Sequence, residues 1–172
     1  MKKIIDTSLP DFKLRFAESE DVTLILSFIR ELAEYEKMLP EVVATEEVLR
    51  ESLFERNLAE VIIGEYRNEP VAFALFFHNF STFLGRPGIY LEDLFVKPEM
   101  RGNGMGKIIL SYLAELAIDR KCGRLEWWCL DWNEASIKFY KQVGAVPMDD
   151  WTVFRVSDEA LYKLANHSKR MG

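Results

Sequence analysis

Apolar residues recur at three- and four-residue steps through Val22, Ile25, Leu26, Ile29, Leu32 and Ala33, which is the spacing of one face of an α-helix. Ser19 ahead of the acidic pair Glu20-Asp21 predicts the N-cap and first turn of that helix, and Pro40 lies beyond its end near Met38. Before it, Phe12 to Phe16 reads as a strand; after it, Thr45 caps a shorter helix with Leu49 and Leu53 on its buried side. Strands are predicted at Glu60 to Tyr66 and Val71 to Phe80, and the connection Arg67-Asn68-Glu69-Pro70 is short enough for an antiparallel hairpin. A loop from Gly85 to Gly88 leads into a strand from Ile89 to Val96, closed by Pro98. A second amphipathic helix is predicted from about Gly104 to Arg120 on Ile108, Ile109, Leu113, Leu116 and Ala117, with Gly123 as its stop. There follow a strand from Arg124 to Leu130, a helix from Asn133 to about Gln142 that Gly144 stops, a last strand from Trp151 to Val156, and a terminal helix capped by Ser157. The order predicts one α/β domain over residues 1–172, a mixed sheet layered with helices and ending in a C-terminal strand and helix.

Composition agrees with a globular chain: 49% apolar and 29% charged residues are the proportions of a packed domain rather than of a disordered one. The formal charge of −6 argues against nucleic acid, whose binders cluster Lys and Arg to displace counterions, and suits a small cationic ligand. Met1-Lys2-Lys3 is followed by only Ile4-Ile5 before Asp6, too short for the apolar core of a leader, so a cytoplasmic location is expected. The longest apolar run, Val71 to Phe77, falls far short of the roughly 20 residues of a membrane helix. Cys122 and Cys129 lack the spacing of a disulfide framework or a zinc site and are expected as reduced, partly buried thiols. Trp127, Trp128, Trp132 and Trp151 are assigned to core packing ahead of ligand stacking. His78 and His167 support neither a catalytic triad nor a metal site, so no metal is expected.

Candidate chemistry begins at Arg101-Gly102-Asn103-Gly104-Met105-Gly106-Lys107, between a strand and a helix. Backbone N–H groups there have no partner inside the helix, glycines let the chain curl round a pyrophosphate, and the helix N-terminus favours anions. Arg101 and Lys107 add charge-assisted contacts. A P-loop would need glycine at Arg101 and Ser or Thr at Ile108, and the dinucleotide fingerprint would need glycine at Lys107 or Ile109, so both fail.

Two further elements carry polar groups in apolar settings. Asn133, Ser136 and Tyr140 fall on one face of their helix. On the strand Tyr90 to Val96, strict alternation places Glu92, Leu94 and Val96 on one face and Leu91, Asp93 and Phe95 on the other. Glu92 is the candidate base, whereas Asp93 is expected as readily to pair with a buried cation or a backbone donor. Backbone N–H groups around Leu94 are candidate donors to a polarised carbonyl.

The pattern R-x-x-G-x-G after a strand resembles the coenzyme A pyrophosphate signature of the GNAT superfamily. With Glu31-Leu32-Ala33, Tyr35-Glu36, Tyr90-Leu91-Glu92-Asp93, Phe95-Val96, Trp132-Asn133-Glu134, Phe139-Tyr140-Lys141 and Gly144-Ala145, almost the whole chain is similar to the spermidine/spermine N-acetyltransferase branch. The resemblance implies a mostly antiparallel sheet. It also implies acetyl-coenzyme A as co-substrate, held by Leu94, Phe95 and Val96, by Arg101, Gly102, Asn103, Gly104, Met105, Gly106 and Lys107, and by Asn133, Glu134, Ala135, Ser136 and Tyr140. It makes Tyr140 the general acid, lines the amine pocket with Tyr35, Glu36 and Glu92, and implies a homodimer in which Asp149 or Asp150 reaches the partner's pocket. Polyamine enzymes carry an acid and a tryptophan in the loop where this chain has Thr82 and Leu84. The acceptor therefore stays open between polyamines, diamines and lysine-like amines such as thialysine. A coenzyme A-binding sensor without turnover is the alternative from another class.

Overall fold

Six strands lie side by side in chain order in the computed structural model, which describes residues 4–168. They are β1 (Ile4–Asp6), β2 (Phe12–Phe16), β3 (Glu60–Tyr66), β4 (Glu69–Ser81), β5 (Arg86–Val96) and β6 (Leu125–Trp127). Neighbours run antiparallel except β5 and β6, which are parallel. Five helices accompany the sheet: α1 (Val22–Tyr35), α2 (Glu46–Arg50), α3 (Met105–Asp119), α4 (Glu134–Gln142) and α5 (Asp158–Asn166). The mixed, mostly antiparallel sheet is the expected one. The contacts divide the chain after Leu130, and the two units are described in turn.

In the first unit, cross-strand pairs share a face of the sheet. Val61 and Ile63 of β3, Phe73 of β4 and Phe95 of β5 meet Ile25 and Phe28 of α1. The Phe28 ring stacks on Phe73 at 5.3 Å and tilts against Phe95 at 6.1 Å. On the opposite face Phe16 meets Tyr112 of α3 edge-on, and Arg120, just past α3, lies over Phe76 and forms a bidentate pair with Glu60. The β3–β4 hairpin turns on Arg67 and Asn68, with φ of 52° and 67°, the left-handed pair of a two-residue primed turn. Pro70, expected in the loop, joins β4.

Several boundaries differ from the sequence reading. Ser19 does not cap α1: a short 3₁₀ turn, Ser19–Asp21, comes first, and the Asp21 carboxylate accepts a 2.8 Å bond from the Glu18 N–H. That carboxylate also receives Arg15 Nη1 at 2.7 Å and Nη2 at 2.9 Å, while Arg15 Nε donates to Glu65 at 2.7 Å. Arg15 and Asp21 are both buried. After α3 the left-handed residue is Lys121, with φ of 58°, and not Gly123; the N–H of Cys122 reaches back to the Ala117 carbonyl. A Cβ at Gly123 would instead strike Leu84 at 2.7 Å, so close packing selects that glycine. Thr45 caps α2 as expected, accepting from Val48 N, and the helix continues as a wide turn, Glu51–Glu55, that buries Leu53. β1 was not foreseen, and β6 is shorter than the predicted Arg124 to Leu130.

The second unit holds α4 and α5. Asn133 caps α4 by accepting from Ser136 N at 3.3 Å, and Gly144, with φ of 91°, follows its end. The predicted strand Trp151 to Val156 is not formed; these residues have no regular structure. A strand is held by a neighbour's hydrogen bonds, and among the described residues none pairs with this segment. Its apolar side chains are exposed, Phe154 to 91% and Trp151 to 71%. Trp128 and Trp132 are also exposed, which corrects their assignment, with Trp151, to the core. Cys122 and Cys129 are partly buried thiols. Among the described residues no helix is long and apolar enough to cross a membrane.

Breaking a buried ion pair from one side leaves an uncompensated charge. Asp21→Ala is therefore expected to cost about 3–5 kcal/mol, seen as a lower urea midpoint. Asp21→Asn, which keeps an acceptor for Glu18 N–H, should lose less. Equal midpoints for wild type and Asp21→Ala would show that Glu65 alone satisfies Arg15.

Candidate active site

Register decides what β5 offers. Its pairing with β4 runs Ala72↔Val96, Phe73↔Phe95, Ala74↔Leu94 and Leu75↔Asp93, then jumps to Phe76↔Leu91. Glu92 is thus the extra residue of a β-bulge. The bulge breaks the alternation expected from the sequence. Leu91 pairs with Phe76, on the α3 face, while Asp93 pairs with Leu75, on the α1 face, so these two do not share a side.

Past the bulge β5 has an open edge. The N–H of Lys97 donates to the Val71 carbonyl at 2.9 Å. Hydrogen-bonded and non-bonded pairs alternate in an antiparallel ladder, so Phe95 and Asp93 turn their backbone groups toward β4 while Val96 and Leu94 turn theirs away. On that far side lies β6, whose pairing ends at Leu91↔Trp127. The two strands part there, and the N–H and C=O of Leu94 and Val96 face the gap.

The chain leaves β5 through the 3₁₀ turn Pro98–Met100 and enters the glycine-rich turn. Gly102 and Gly104 have φ of 81° and 80°, and a Cβ on either would meet nothing within 4 Å. Open space thus lies beside backbone that only glycine adopts readily. Gly104 is the N-cap of α3 with no side chain capping the first turn, leaving the N–H groups of Met105, Gly106 and Lys107 without intrahelical partners. Asn103 shapes the turn by donating to the Met100 carbonyl at 3.1 Å. An ideal Cβ on Gly106 would lie 4.0 Å from Val96 Cγ2, so the helix start sits beside the open edge. This cradle fits a pyrophosphate joined to an extended amide chain.

On the α1 face, Asp93 is pushed up to about 7 from its usual 3.8, first by burial and then by the charges of Glu92 and Glu36. Burial likewise raises Glu36. Both charges that raise Asp93 are negative. Glu92 itself is exposed at the bulge. Tyr35, the last residue of α1, faces Arg101, whose guanidinium lies 4.4 Å from its ring centroid and 5.6 Å from that of Phe95. The structure therefore brings together Tyr35, Glu36, Glu92, Asp93, Leu94, Phe95, Val96 and Arg101 to Lys107. In the second unit, Ser136 and Tyr140 lie one turn apart on α4, behind the Asn133 cap and with Glu134 and Ala135 in the first turn; the Tyr140 ring is 5.3 Å from that of Phe139. Asp149 and Asp150 lie exposed in a turn after α4.

Residues 26–145 match the model of the acetyltransferase (GNAT) family. The chain belongs to the GNAT acetyltransferase family. Among relatives of this acetyltransferase, thialysine N-epsilon-acetyltransferase of Bos taurus is 39% identical over 88% of the chain and 96% of its own length. Spermidine/spermine N(1)-acetyltransferase-like protein 1 of Homo sapiens is 31% identical over 92% of the chain and 24% of its own length. An integron cassette protein from the mobile metagenome of V. cholerae superposes with a TM-score of 0.76 at 26% identity, covering 90% of this chain and 98% of that one. The expected family is thereby established, and the acetyltransferase is an enzyme of amine N-acetylation.

The acidic cluster makes stability pH-dependent. Between its usual 3.8 and about 7 the folded acetyltransferase keeps a proton on Asp93 that the unfolded chain has released. Stability from this group therefore falls as pH rises through that window and is constant above it. Asp93→Asn is expected to be more stable than wild type at pH 8 by on the order of 1–3 kcal/mol, the gain shrinking to nothing near pH 4. Urea midpoints across pH measure it, and a gain that does not change with pH would trace the effect to packing.

Proposed function

We propose that this enzyme transfers the acetyl group of acetyl-coenzyme A to the primary amine of a small lysine-like acceptor, by direct attack in a ternary complex. The observation that carries this reading is the open edge of Leu94 and Val96 leading into the uncapped start of α3. Backbone of Leu94, Phe95 and Val96 holds the extended arm of the co-substrate. Arg101, Gly102, Asn103, Gly104, Met105, Gly106 and Lys107 hold its phosphates, and Asn133, Glu134, Ala135 and Ser136 add contacts. Bound there, acetyl-coenzyme A supplies a thioester as acetyl donor.

The chain's own groups perform the rest. The Leu94 N–H polarises the thioester carbonyl, as an oxyanion-type donor. An amine of pKa near 10.4 is almost wholly protonated at pH 7, and stripping its proton costs about 4.6 kcal/mol. Glu36, Glu92 and Asp93 attract the ammonium: burial raises Asp93, and the charges of Glu92 and Glu36 raise it further, so a cation placed among the three is favoured. Glu92 removes the proton through water, and Tyr140 donates one to the departing thiolate. Tyr35 closes the acceptor side.

The lysine-like acceptor is favoured over a polyamine by the β4–β5 loop. Thr82, Phe83 and Leu84 are exposed there and carry no charge, so the loop offers nothing to a second ammonium. The thialysine-acetylating relative supports the same choice. Thiol release across thialysine, lysine, a diamine and spermidine tests it, with the highest kcat/KM expected for thialysine or lysine. Preference for spermidine would reverse the choice, and no turnover with any amine would support the sensor reading. Tyr140→Phe is expected to lower kcat by about 10²–10⁴ with cofactor affinity little changed, whereas Glu92→Gln should raise KM for the amine. Wild-type kcat in Tyr140→Phe, where chemistry limits turnover, would give the proton to water instead.

The apolar, exposed stretch Trp151 to Val156 also supports a homodimer, in which this segment pairs with a second copy and brings Asp149 or Asp150 to its amine pocket. Light scattering should find twice the chain mass. A monomer that is fully active at nanomolar concentration would remove the shared pocket.

A further inference from the structure

Arg101 opens the phosphate turn, yet its side chain points back to the strand. Its Nε donates to the Val96 carbonyl at 3.0 Å, one of the groups that face the gap between β5 and β6. The guanidinium plane lies over the rings of Tyr35 and Phe95 at 4.4 and 5.6 Å. A single cation thus covers the end of the open edge and one ring on the acceptor side. A carbonyl oxygen has two lone pairs, so the hydrogen bond alone would not exclude a second donor. The bulk of a guanidinium held both at that oxygen and over the two rings crowds the approach of one.

We propose that Arg101 is a plug on the donor edge and the Tyr35 ring, withdrawn when phosphates in the glycine-rich turn compete for its guanidinium. The inference rests on the reading that this edge and turn hold acetyl-coenzyme A, and goes beyond it by giving Arg101 two positions with opposing effects. Guanidinium binds phosphate through charged, often bidentate hydrogen bonds, stronger than a bond to a neutral carbonyl with an exposed stack. The exchange runs downhill only for a ligand that carries phosphates. Withdrawal uncovers the Val96 carbonyl and the Tyr35 ring in one event, so the amine side opens after the co-substrate is seated. Arg101 is in this sense a positioning and selectivity residue: it discriminates against thioesters that lack the nucleotide end.

Calorimetry with two donors separates the roles. S-acetylpantetheine, which has the amide arm and no phosphate, should bind Arg101→Ala about three- to tenfold more tightly than wild type, because the plug is gone. Acetyl-coenzyme A should bind the same variant about tenfold more weakly, because a phosphate contact is gone. Tyr35→Leu, which removes the ring but keeps the cation, should tighten acetyl-coenzyme A about threefold. Both side chains are exposed, and thermal melts verify that each variant is folded. The opposite signs for the two donors are the expected result. Arg101→Ala binding S-acetylpantetheine no more tightly than wild type, whether or not binding is detectable, overturns the plug while wild-type affinity for acetyl-coenzyme A upholds the cofactor site. Wild type that binds neither donor overturns both.

Discussion

Backbone that has lost its neighbour is the constraint on which this molecule turns. Strand β5 is paired on both sides through Leu91 and on one side only from the bulge onward. Polar backbone groups away from water demand partners, so a half-strand that ends inside a sheet must be satisfied by solvent, by a side chain or by a ligand. Arg101 takes one of those places at Val96. The bulge at Glu92 and the early end of β6 together create the gap, and the same bulge turns Asp93 toward α1 while Leu91 stays on the α3 face. One local irregularity in register thus sets both the donor edge and the position of the acidic group beside it.

The rest of the first unit keeps that gap from closing. Phe28, Phe73 and Phe95 interlock on one face, and α3 with Arg120 and Glu60 brace the other. Arg15, tied to Asp21 and Glu65, joins β2, β3 and the turn before α1. These contacts fix the strands and helices around the gap, so the unpaired edge need not supply stability of its own. Glu36, Glu92 and Asp93 gather at the end of α1 and the bulge, and the raised Asp93 lowers stability near neutral pH.

Much of this was legible in the sequence because it depends on local periodicity and turn chemistry. The steps from Val22 to Ala33, the Thr45 and Asn133 caps, the turn at Arg67-Asn68 and the glycines at 102 and 104 each obey rules that involve only near neighbours. The bulge at Glu92 was not legible, since register belongs to two strands and not to one; the alternating assignment of Leu91 and Asp93 to a shared face failed for that reason. The left-handed position expected of Gly123 falls at Lys121, and Gly123 is instead kept small by Leu84, distant in sequence. Trp151 to Val156 has the composition of a strand, but none of the described strands pairs with it. Arg101 was expected as a phosphate ligand from its place in the motif, and nothing near it in sequence foretells its contact with Tyr35.

Strand order has a further consequence, in the time course of synthesis. From β1 to β5 each strand lies beside the one made just before it, so β1–β2, β3–β4 and β4–β5 can pair across short turns as the chain emerges, while β3 reaches β2 only after α1 and α2 are made. β6, parallel to β5, must likewise await a helix, the crossover α3, because parallel neighbours cannot be joined by a tight turn. The ribosome delivers all of α3 before the second wall of the gap exists. Nascent chains that stall within α3 expose the full length of β5 as an unprotected edge, the kind of surface on which strands of other molecules add. The edge proposed to take an extended ligand in the finished enzyme is, for the seconds before β6 arrives, the place where the growing chain is most open to misassembly.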